Sequence, residues 1–244
     1  MQCYVGVLKD ALLQHATIEK AQASQRFFTH EVCCMGVNAA DIKKVVSEFH
    51  MAHKGLCANE VLAITEALLA QAHYNEEVLT AFGLINKYVK RHYDDNLLAR
   101  FEYWLEHYTT NWSTVDDLCI KTIFLFLLSR PHLIEKTQHW RHSEVSWCRR
   151  ASNVVWVKFI YRPIANAVYR LDKILIFDHC DVLLDDPDEF VQKSLGWLLK
   201  VTAAHHHDAV VEYIEHNSAQ LQRVTLRYAI EKMAPTVRKR LLAL

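Results

Sequence analysis

Apolar residues recur every three or four positions along most of this chain, the spacing that gathers them on one face of a helix. Asp41 to His53 carries Ile42, Val45, Val46 and Phe49 in that pattern, and Glu60 to Ala72 carries Val61, Leu62, Ile64, Leu68 and Leu69. Glu76 to His92 follows with Val78, Leu79, Phe82, Ile85, Tyr88 and Val89, and Asn96 to Tyr108 with Leu97, Leu98, Phe101, Trp104 and Leu105. The same reading predicts helices over 114–129, 144–161, 164–177, 187–204, 207–216 and 219–233. The breaks between them are short, at Pro131, the acidic stretch 181–188 and His216-Asn217-Ser218. No long linker divides the chain, so one domain over 1–244 is expected. Helices of about 12 to 18 residues in close succession fit helical hairpins stacked into a solenoid. No repeat is visible as sequence identity, and a compact helical bundle is the alternative. The expected class is all-α in both cases.

Composition agrees. With 5 Gly and 4 Pro in 244 residues, the chain lacks the turn formers of a β-sandwich, and 51% hydrophobic residues suffice for a large core. The apolar run Ile120 to Leu128 is interrupted at Lys121 and followed by Arg130, so no membrane span is expected. Met1-Gln2-Cys3-Tyr4 lacks the features of a signal peptide. Seven Cys without framework spacing fit buried thiols in a reducing cytoplasm, the expected location. Cys33-Cys34 has no second Cys or His pair at zinc-finger spacing, and no metal is expected there.

Charge changes the picture through its distribution. Lys plus Arg equals Asp plus Glu at 28 each, yet nine basic residues fall between Arg130 and Lys173 against three acids. Six fall between Arg223 and Arg240 against one, while Asp178 to Glu189 holds six acids and no base. Segregated, solvated helix faces would account for this. So would basic stripes on a neutral protein that binds DNA transiently.

The candidate chemistry lies in Trp112, Asp116, Arg150 and Trp197. Asp116 follows Ser113 by three residues in Asn111-Trp112-Ser113-Thr114-Val115-Asp116, ahead of the apolar run from Leu118. Ser113 is thus the expected N-cap and Asp116 the partner in a capping box, with Trp112 a staple residue. The same place at a helix N-terminus favours an ionised, outward-pointing carboxylate. Arg149-Arg150 reads as an exposed pair or a phosphate contact. Trp197 reads as core or cleft, with Gly196 beside it where a helix interior loses about 1 kcal/mol relative to Ala. A glycine there admits another backbone or a ligand. Asp116 to Arg150 spans 34 residues and Arg150 to Trp197 spans 47, each near one helical repeat, so these positions would line one face of a solenoid.

Three segments in order resemble the AlkD family of DNA alkylation-repair glycosylases: Trp112-Ser113-Thr114-Val115-Asp116, Trp147-Cys148-Arg149-Arg150-Ala151 and Val191-Gln192-Lys193-Ser194-Leu195-Gly196-Trp197. The resemblance extends from about residue 20 to 235. It implies a HEAT-like helical-repeat solenoid with a concave DNA-binding face. It also implies hydrolysis of the N-glycosidic bond of N3- and N7-alkylated purines in double-stranded DNA, by a monomer without cofactor or metal. The family's catalytic Asp falls on Asp116, its active-site Trp on Trp112, its Arg on Arg150 and its second cleft Trp on Trp197. An aromatic that touches the lesion strand falls on Phe27, where a Tyr is more usual, and Arg149 and Lys193 join the expected DNA contacts.

Other classes compete less well. A non-catalytic DNA-structure binder or protein scaffold would share the helices but has no need of Asp116 beside two indoles. His205-His206-His207-Asp208 suggests metal at first sight, but consecutive helical residues point in different directions and cannot share one ion.

Overall fold

The computed structural model describes residues 2–244, among which are fourteen α-helices and one β-hairpin. The all-α class read from periodicity holds. The chain divides into two compact units, one ending at Ser129 and one running from Arg130 to Leu244.

The first unit comprises α1 (Gln2–Leu13), α2 (Ile18–Gln25), α3 (Ala39–Ala52), α4 (Ala58–Leu69), α5 (Asn75–Ile85), α6 (Leu97–His107), α7 (Trp112–Asp117), a π-helical segment over Leu118–Ile123, and α8 (Phe124–Leu127). Helix α5 is its axis. Ala81, Phe82, Leu84 and Ile85 are fully buried there against α3, α4 and the π-helical segment. Two carboxylates at its N-terminus are buried as well, each for an identifiable reason. Glu76 accepts hydrogen bonds from the backbone N–H groups of Met35 (2.8 Å), Gly36 (2.8 Å) and Val37 (3.2 Å), which pins the loop ahead of α3. Glu77 takes the N–H of His73 at 2.7 Å and the ammonium of Lys9 at 3.2 Å, closing the α4–α5 turn onto α1. The loop passes so near α2 that Gly36, at φ 86°, would place a Cβ 2.1 Å from the Thr17 carbonyl oxygen. Only glycine fits there.

The second unit opens with 3₁₀ turns at Pro131–Leu133 and Glu135–His142, followed by α9 (Ser146–Val157), β1 (Tyr161–Ile164), β2 (Ala167–Arg170), α10 (Lys173–Leu183), α11 (Glu189–Ala203), α12 (His207–His216), α13 (Arg223–Ala229) and α14 (Pro235–Leu242). Here α11 is central, packed against α9, α10, α12 and α13. Its buried Gln192 donates to the carbonyls of Leu183 (2.9 Å), Leu184 (3.0 Å) and Asp186 (3.0 Å), while Thr225 of α13 donates to the Gln192 carbonyl at 3.2 Å. The Thr225 hydroxyl also donates to Gln192 Oε1, so one side chain satisfies the C-terminal end of α10 and ties it to α11 and α13.

Several boundaries differ from expectation. The helices expected over 144–161 and 164–177 give way to α9, an antiparallel hairpin and α10. Tyr161 pairs with Arg170 and Ile164 with Ala167 across the hairpin. Pro163 explains this: it cannot sit in a helix interior and it forces Arg162 into extended backbone. β-branched and aromatic neighbours (Tyr161, Ile164, Val168, Tyr169) then favour pairing. The helix expected over 76–92 stops at Ile85, and that over 219–233 shrinks to α13. Helices α1, α2 and α14 were not anticipated. Of the seven cysteines, all free, Cys119, Cys148 and Cys180 are buried while Cys3, Cys33 and Cys57 are exposed. No helix among the described residues is long and apolar enough to cross a membrane.

Candidate functional site

In the first unit the site is built on α7. Its N-cap is Asn111 rather than the expected Ser113. The buried Asn111 accepts from the N–H groups of Ser113 (3.0 Å) and Thr114 (3.2 Å) and donates its amide to Asn75 Oδ1 at 2.9 Å. An Asn two residues upstream, anchored to the first residue of α5, outcompetes the Ser because its own amide is satisfied across the helix pair. Asp116 then stands at the fifth helical position instead of the third, beyond reach of a capping box.

That shift sets the geometry of the carboxylate. Trp112 and Asp116 are four residues apart on one helix and share a face. Both are half-buried. The ring of Phe28 packs on Trp112 at 5.7 Å between centroids, tilted by 40°. Phe27, the aromatic suggested by resemblance, is 73% exposed, and the neighbouring Phe28 is the one that reaches the Trp112 indole. Sequence reasoning missed it because 26–38 carries no helical periodicity to say which of two adjacent Phe turns inward.

Asp117 faces differently from Asp116. It forms an ion pair with Lys121; burial pushes its carboxyl above the usual carboxylate range and Lys121 opposes that shift. Beyond it the backbone loosens into the π-helical segment, a rare geometry that is frequent at functional sites. A cavity of about 170 Å³ lies on the opposite flank of α7, lined by Thr114, Asn75, His73 and Tyr108 among others. Thr114 is about 200° around the helix from Asp116, so this cavity does not receive the carboxylate.

The second unit holds the remaining candidates. Arg150, only 6% exposed, donates from Nη1 to the Phe190 carbonyl at 2.6 Å, tying α9 to the first turn of α11. Arg149 grips Asp186 through Nε at 2.6 Å and Nη2 at 3.3 Å, and donates from Nη1 to the carbonyls of Ser143 and Glu144, both at 3.0 Å. Trp147, also in this segment, packs on Phe190 at 5.3 Å. Both guanidiniums are therefore engaged within the fold. Lys193 is half-buried, paired with Glu189 at 2.7 Å and over the Phe190 ring at 4.8 Å. Trp197 is half-buried on α11, between the limits of core and cleft. Beside it, Gly196 admits a backbone and not a ligand: a Cβ there would lie 2.6 Å from the Thr225 carbonyl oxygen and 2.5 Å from Tyr228 Cβ of α13.

The histidine run makes local contacts. His205 stacks on Tyr161 at 5.0 Å and His207 bonds Asp208 at 3.0 Å. No group of three or more His, Cys, Asp or Glu side chains spaced to hold a metal ion occurs among the described residues.

No curated protein matches the chain. A solved structure described as a predicted DNA alkylation repair enzyme from Enterococcus faecalis superposes with a TM-score of 0.76 at 15% identity, covering 91% of this chain and 98% of that one. The alkylpurine DNA glycosylase AlkC of Pseudomonas fluorescens, solved bound to DNA containing an abasic site analog, superposes with a TM-score of 0.56 at 16% identity. That match covers 99% of this chain and 65% of AlkC. At such identities both likenesses speak for the fold. The DNA alkylation repair enzyme model matches residues 8–233, nearly the whole sequence, and the chain belongs to that family.

Proposed function

We propose that the chain is a DNA glycosylase that hydrolyses the N-glycosidic bond of N3- and N7-alkylated purines in duplex DNA, leaving an abasic site and the free base. The observation that carries this reading is the half-buried Trp112–Asp116 pair on one face of α7, backed by Phe28. An alkylated purine already bears positive charge and departs with the bonding electrons without prior protonation. The reaction then requires two things: stabilisation of an oxocarbenium-like sugar, and a water delivered to C1′. Asp116 meets both, by its negative charge and by accepting the water's proton. Trp112 excludes bulk water and offers its electron-rich face to the developing cation. Phe28 holds that indole in place. Trp197 is the second indole of the reading. The chemistry calls for no metal or organic cofactor. The description of AlkC as an alkylpurine DNA glycosylase supports the reading.

The test is single-turnover release of N7-methylguanine from a duplex by the wild type and by Asp116→Asn. Asn removes charge at nearly constant volume, so release should fall by about 100-fold or more while duplex affinity stays near wild type. Full release by the variant would remove Asp116 from its role. A wild type that binds duplex DNA yet releases no base would instead identify a silent DNA-structure binder.

A further inference from the structure

We infer that the α13–α14 pair is a second DNA-backbone contact, one that grips phosphates through Arg227, Arg238 and Lys239 irrespective of the lesion. The inference rests on duplex DNA being the substrate, though not on base release. The stretch Arg223 to Arg240 carries six Lys/Arg and a single acid, Glu231. The structure divides those six by what they touch. Arg240 is paired with Glu215, Lys232 lies 3.6 Å from Glu231, and Arg223 donates to the Leu242 carbonyl at 3.1 Å. Glu231 is further committed to Lys200 at 2.8 Å. Arg227, Arg238 and Lys239 are exposed and have no ion-pair partner among the described residues.

The Arg223–Leu242 bond sets the start of α13 beside the end of α14. Arg227 lies one turn onward along α13, and Arg238 one turn back along α14. Arg238 and Lys239 also line an open groove on α14 with Pro235, Leu242 and Ala243. Three solvated cations on these two helices, with Glu215 and Glu231 already paired, suit a polyanion whose charges repeat along a line. Releasing the counterions of that polyanion supplies the affinity. By contrast Arg149 and Arg150 spend their charge inside the fold, and Lys193 is paired with Glu189 on the surface of α11. Helix α14 lies beyond the residues matched by the family model.

The experiment measures binding of an undamaged duplex by anisotropy over about 50 to 200 mM salt, for the wild type and for Arg227→Gln/Arg238→Gln/Lys239→Gln. Each phosphate contact contributes about 0.9 to the slope of log affinity against log salt, so the triple variant should lose about 2 to 3 from that slope. The charge-keeping variant Arg227→Lys/Arg238→Lys/Lys239→Arg should restore it. Single-turnover base release at saturating protein should be unchanged in both. An unaltered slope in the Gln variant would overturn the inference. So would a lost slope that the charge-keeping variant, melting like the wild type, fails to recover. A wild type that binds duplex with the expected slope but releases no base would refute the glycosylase reading and leave this contact standing. No salt-dependent binding at all would remove both.

Discussion

Gly196→Ala is the sharpest test of the packing around the second-unit site, because two known effects oppose each other there. An interior helical glycine is less favourable than alanine by about 1 kcal/mol, so the substitution gains that much from backbone propensity. Against it stands a Cβ 2.5 Å from Tyr228 Cβ and 2.6 Å from the Thr225 carbonyl oxygen. These are the base of a side chain and a backbone atom, neither of which can swing aside, so α13 has to withdraw bodily from α11. Overpacking of this kind costs about 1 to 3 kcal/mol. The withdrawal also strains the Thr225–Gln192 hydrogen bonds, through which α13 joins the buried amide that holds the end of α10. Weakening such a bond adds about 1 kcal/mol. The net expectation is destabilisation by about 1 to 3 kcal/mol, read as a lower urea midpoint at unchanged m value. A variant as stable as the wild type, or more so, would show that α13 yields freely and refute the reasoning.

Three further outcomes follow from particular contacts. Trp197→Ala should cost less than the roughly 3 kcal/mol at which truncation of a fully buried Trp begins, while base release falls more than stability does; a larger loss with full activity in the folded fraction would place Trp197 in the core. Arg150→Ala should destabilise by about 1.5 to 3 kcal/mol through loss of the charged bond to the Phe190 carbonyl, with the salt slope of duplex binding unaltered; a flattened slope at constant stability would restore it as a phosphate contact. His179 is buried against Trp156, hydrogen-bonded to Asn153 at 3.1 Å, and burial, then the nearby Arg141 and His142, lowers its pKa from 6.5 to about 3. The unfolded chain therefore takes up a proton first as pH falls. Its contribution is complete above about pH 6.5 and is lost progressively from there toward pH 3. His179→Gln should show a smaller drop in urea midpoint between neutral and acid pH within that window, and an identical drop would contradict the assignment.

Sequence alone determined the class and most of the helices, since amphipathic periodicity is written within a few residues of itself; α12, over His207–His216, falls where the pattern put it. That Trp112 and Asp116 share a face was not determined there: with Ser113 as the expected cap Trp112 lay ahead of the helix, and the cap at Asn111 brings both into α7 at i, i+4 spacing. The hairpin was legible, in Pro163, though periodicity on either side concealed it. Other features depend on residues far apart in the chain, and no local pattern carries them. Asn111 displaces Ser113 as the cap because Asn75, 36 residues earlier, satisfies its amide. Arg150 turns inward because a carbonyl 40 residues later accepts from it. Gly196 is required by the approach of α13, and Phe28 rather than Phe27 meets Trp112. Residue type marked these positions as able to do chemistry; which of them stays available for it depends on whether folding brings a partner to the same polar atom, and only the tertiary structure decides that.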